Sequence, residues 1–210
     1  MNTTMNTSVN TTSTASTTSR LGTAAYLAAP ALLGVYGVIR LLDGTHGPGP
    51  GWITGHLALL ASLLLFGVVF HSLHRLAATR GRVAAGITFW LAAAGLAGSL
   101  GQVGIDLYVG SRAADLAAQN RLFEQIQSHP GVLPAFYTVL PLFFYLGLLS
   151  LLTVLALRRQ IRAWSLLLAI TATAVMGASL DLMPLGALLL ALSLTPQARR
   201  ATVRLGHALA

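Results

Sequence analysis

Residues 132–157 read VLPAFYTVLPLFFYLGLLSLLTVLAL and are followed at once by Arg158 and Arg159. The 26 residues carry no charge, and at 1.5 Å per residue they are long enough to cross a hydrocarbon core as a helix. Lipid offers backbone N–H and C=O groups no partners, so a spanning segment must be a helix or part of a closed barrel. The apolar residues run continuously rather than alternating with a period of two, which selects the helix.

Working outward, similar runs recur through the chain. Hydrophobic residues make up 55% of the sequence and charged residues 9%, with a mean hydropathy of +0.72. A soluble domain needs roughly 25% charged residues to present a wet surface. The expected fold is an all-α polytopic membrane bundle of about six transmembrane helices, near 22–42, 52–73, 83–109, 132–157, 162–180 and 182–197. Residues 1–21 form a Ser/Thr/Asn-rich tail, expected to be disordered because it has little to bury. It has neither the basic start nor the short apolar core of a signal peptide. The transmembrane domain then covers 22–197, and 198–210 is a basic tail.

The cations set the expected orientation. All thirteen basic residues are Arg and none is Lys, which excludes a Schiff-base lysine. Arg20, the groups Arg75/Arg80/Arg82 and Arg158/Arg159/Arg162, and Arg199/Arg200/Arg204 fall on one side of the proposed spans. By the positive-inside rule that side is cytoplasmic, with both termini inside. The other side holds Arg40, Arg112 and Arg121 with all five acids: Asp43, Asp106, Asp115, Glu124 and Asp181. The net charge of +8 is therefore a topology signal and not a nucleic-acid footprint. The Arg-rich, Lys-free composition suggests a GC-rich bacterial genome and a cell-membrane protein. In the long outer connection, Ala113, Leu116, Phe123 and Ile126 recur at roughly helical spacing until Pro130. An amphipathic helix on the outer membrane face is expected there, as a spacer or as a lid.

Two acids close apolar runs in similar settings, Asp106 in GQVGIDLYVG and Asp181 in GASLDLMPLG. Together with the run–arginine–run pattern before each, this is a faint internal repeat. Asp106 follows Arg82 by 24 residues and Asp181 follows Arg162 by 19, about 36 and 28 Å of helix. On that count both can sit at helix ends, where a charge costs little. Gln102 and Asp106 share a helix face with Thr88, Gly95 and Ser99. Tyr26, Pro30, Gly34, Gly37 and Arg40 form a small-and-polar stripe on the first span, the usual dress of helices that pack in membranes.

His56 falls four residues inside Trp52, at a depth like that of Asp106. A histidine between carboxylates can work as an acid or base near neutral pH. The candidate catalytic residues are therefore Asp106, Asp181, His56 and Gln102. Arg40, Tyr108, Glu124 and His129 are the candidates for substrate binding. No metal or other cofactor is expected. His71 and His74 lack a third ligand on their side other than His207, and a bis-histidine haem would need a facing histidine that no other span supplies. Cysteine is absent, so thiolate chemistry is excluded.

Three functions remain open at this point. One is an intramembrane acid–base enzyme acting on a lipid or isoprenoid substrate, for example a cyclase. Another is an accessory or structural membrane protein without catalysis. The third is a small-solute or ion transporter, although transporters usually place their charges near the midplane. The expected partners are membrane lipids and a lipid-soluble small molecule, with no nucleic acid.

Overall fold

A computed structural model describes the backbone of residues 10–44 and 46–209 and the side chains of 24–44 and 46–198. Among these residues every regular element is helical: α1 Asn10–Asp43, α2 Pro50–Ala78, α3 Arg82–Arg112, α4 Leu116–Gln127, α5 Leu140–Leu157, α6 Ala163–Ala178 and α7 Met183–Leu209. A π-helical stretch, Leu133–Val139, runs into α5, and a 3₁₀ turn, Leu180–Leu182, runs into α7. Of the tail expected over 1–21, residues 1–9 lie outside the described residues, as do the side chains of 199–210.

Among the described residues, five segments are long and apolar enough to cross a membrane: Ala24–Asp43, Pro50–Ala78, Arg82–Arg112, Leu133–Leu157 and Leu180–Ala198. The sixth, α6, is apolar but only 16 residues long, short of the roughly 20 that span a bilayer. It stops because Ser179 turns extended and its hydroxyl accepts from the Asp181 N–H, opening the 3₁₀ turn.

The helices close a ring in the order α1, α2, α3, α5, α6, α7 and back to α1, with α2 also touching α5 across the middle. Without a hydrophobic drive between helices in lipid, close backbone approach does the work. Gly34 and Gly37 set α1 against Ala187, Met183 and Pro184 of α7. Gly95 of α3 lies on the backbone of Phe143 and Phe144, and Gly147 of α5 lies on the backbone of Ala92. These reciprocal glycines let α3 and α5 approach at main-chain distance. Between them and α2, Phe66, Phe70 and Phe144 pack at ring separations of 5.1–6.1 Å.

One end of the bundle gathers the arginine-rich connections. There Arg80 donates to the Arg158 carbonyl at 3.2 Å, Gln160 donates to the Leu76 carbonyl at 3.0 Å, and His74 Nδ1 donates to the Ala85 carbonyl at 3.0 Å. The opposite end holds Asp43, Trp52, Asp106, α4, Tyr137 and Asp181, and it positions the site.

Candidate functional site

His56 lies six residues into α2 and Asp106 six residues before the end of α3, each about 9 Å of helix from its terminus. Both are buried, at 5% and 7% exposure. His56 Nε2 faces Asp106 Oδ2 at 3.7 Å. The other imidazole nitrogen, Nδ1, is 2.8 Å from the carbonyl of Trp52, one turn back. A carbonyl only accepts, so Nδ1 carries a hydrogen. Nε2 then faces the carboxyl with a lone pair unless a proton lies on one of the two groups. A proton carried by either group can then lie between them, on Nε2 as an imidazolium or on Oδ2 as a carboxylic acid. A gap of 3.7 Å cannot seat a water in line and is somewhat under 1 Å longer than a direct hydrogen bond.

Trp52 organises both partners. Its carbonyl fixes His56, its indole stacks on the imidazole at 4.2 Å, and its Nε1–H donates to the Asp106 backbone carbonyl at 2.9 Å. Gly110 makes room for that indole, because a Cβ there would strike the ring. On the third side Tyr137 donates its hydroxyl to Asp106 Oδ1 at 3.1 Å. Tyr137 comes from the π-helical stretch, which contains Pro134 and is followed by the N–H-less Pro141. Such widened turns recur at functional sites. Tyr36 adds an edge-on contact to His56, at 5.3 Å.

His56 also lines an open cleft with Tyr36, Arg40, Asp43, His46, Trp52 and neighbouring backbone, about 260 Å³ counting its mouth. Arg40 lies beside the Tyr36 hydroxyl, and its Nε is 3.9 Å from Asp181 Oδ1, across a pair whose aspartate is 63% exposed.

Of the residues singled out in the sequence, His56 and Asp106 thus meet directly, and Arg40 joins Asp181 at the rim of the cleft. Gln102 is half-buried, one turn before Asp106. Tyr108 is exposed under the Arg112 guanidinium at 5.7 Å. Glu124 is exposed on α4, and His129 is exposed with its Nδ1 on the Gln125 carbonyl at 3.0 Å. The two aspartates of the faint repeat differ: Asp106 is inside a helix and Asp181 is in the 3₁₀ turn. Tyr137 and Trp52 read in sequence as interface aromatics. The signal for Tyr137 was its position between two prolines seven residues apart. No three His, Asp or Glu side chains among the described residues are grouped to hold a metal ion.

No family model, curated protein or solved structure matches the chain.

Proposed function

We propose that the chain is a six-span protein of the cell membrane, both termini cytoplasmic and α4 on the outer face, with an outward-facing acid–base site at His56, Asp106 and Tyr137. The orientation rests on the gathering of arginines at one end and acids at the other. The function rests on one observation: Nδ1 of His56 is committed to the Trp52 carbonyl, which aims Nε2 at Asp106 Oδ2 and supports a single proton shared by the two groups. A proton held away from bulk water beside a solvent-reaching cleft is the requirement of a general acid. The cleft favours a small polar group over a whole isoprenoid, since its enclosed space of about 20 Å³ holds roughly one water-sized group. A lipid-soluble substrate would then present only its polar head at the cleft, with Arg40 at the rim.

Infrared difference spectra of the protein in lipid nanodiscs, taken from about pH 4 to about pH 9, test this reading. A carboxylic-acid carbonyl band that changes with the histidine ring bands, and that disappears in Asp106→Asn, is expected. Spectra unaltered by that substitution would sink the proposal.

The second reading is an accessory protein in which the same cluster is a structural pin. It is favoured by the bonds that hold His56 Nδ1 and Asp106 Oδ1 within the protein and by the close approach of Nε2 to Oδ2, which together tie α2, α3 and the start of α5. Conservative variants that lower only the amount of folded protein would support the pin.

A further inference from the structure

We infer that α4 is a movable cover over the His56–Asp106 pair, latched by Phe123 and Gln127 and hinged at the non-helical joints on either side of it. In LAAQNRLFEQIQ, Gln119, Phe123 and Gln127 follow at four-residue steps and share one face. Phe123 packs on Trp52 at a ring separation of 6.1 Å. The Gln127 side chain lies beside the Tyr137 hydroxyl. Trp52 and Tyr137 are the two residues hydrogen-bonded to Asp106, so both latches end on its holders. The opposite face of α4, with Asn120, Arg121, Glu124 and Gln125, is exposed.

Three features let this helix move. Its helix-on-helix packing is mainly against the end of α3, and segments with few buried contacts open at low free energy. It is joined to α3 through extended residues Ala113 and Asp115, and to the π-helical stretch through a turn in which Gly131 takes a φ of 87°. Finally, Gln119 is 2% exposed, yet its Oε1 has no hydrogen-bond partner. A desolvated acceptor disfavours the closed position, and opening would hydrate it. What the cover controls, water and polar groups reaching a shared proton, rests on the acid–base reading; the motion itself does not.

The chain has no cysteine, so a single introduced thiol reports access without background. Asp106→Cys in nanodiscs is treated with a water-soluble maleimide, alone and combined with Phe123→Ala or Gln127→Ala. Ser62→Cys, at a fully buried position on α2, serves as the control. Release of one latch should raise labelling at position 106 about 3- to 10-fold and leave position 62 unchanged. Equal acceleration at both positions means general loosening and overturns the proposal. Absence of acceleration at 106 with either latch variant overturns it as well. The infrared band of Asp106 is read on the parent protein, so the proton reading can fail while the cover stands, or the reverse.

Discussion

Replacing Asp106 by asparagine separates the charge of the carboxylate from its shape. The asparagine oxygen can still accept from the Tyr137 hydroxyl, now 3.1 Å from Oδ1. Its amide N–H then points at His56 Nε2, which the hydrogen on Nδ1 leaves as a lone-pair acceptor. Every hydrogen-bonding group stays partnered and the charge of the pair is gone. Exchanging a buried ionic pair for a neutral group of the same shape is often neutral or stabilising, so Asp106→Asn should lie within about 1 kcal/mol of the parent. Asp106→Ala keeps neither contact. It strands the tyrosine hydroxyl and the imidazole nitrogen, at about 1–3 kcal/mol each, so a loss of about 2–6 kcal/mol is expected. Reversible denaturation in mixed micelles measures both. If asparagine costs as much as alanine, the fold needs the charge, and the single shared proton argued from the Trp52 carbonyl is wrong.

Other perturbations probe the bundle. Gly147→Val drives a side chain into the Ala92 backbone and should exceed the roughly 1–3 kcal/mol typical of overpacking. Gel filtration should show lost folded protein, while Gly86→Ala, with nothing within 4 Å, behaves as the parent. Asp181→Asn removes only a long, exposed contact to Arg40 and should shift denaturation by no more than about 0.5 kcal/mol; a loss above about 1.5 kcal/mol would show that the rim pair is structural. Ser62→Ala deletes the buried bond to the Ala29 carbonyl, 2.7 Å long. It should cost about 0.6 kcal/mol, the mean for interhelical hydrogen bonds in membranes, read by the same denaturation.

The membrane bundle was legible because uncharged length and arginine placement depend on local composition alone. Pairing of His56 with Asp106 was legible as far as two polar groups at one depth on apolar spans. Their burial was not. Counting from Arg82 puts Asp106 at a helix end, but α3 continues to Arg112, with Trp52 on the Asp106 backbone carbonyl and Tyr137 on its side chain. Asp181 has a similar local sequence and the opposite fate, because the chain leaves α6 at Ser179 and turns it outward. Trp52 shows the general difficulty: an aromatic at a span end looks the same whether it anchors in headgroups or stacks on a histidine.

The pairing of α1 with α7 has a consequence for biogenesis. Because α1 leaves the ribosome before α7, the flank of α1 carrying Gly34 and Gly37 must wait for its partner while the helices between them are made. Small apolar residues can wait in lipid at little cost, since acyl chains solvate them as well as a neighbouring helix would. The α2, α3 and α5 contacts can form in the meantime, and the ring closes only once α7 has been made.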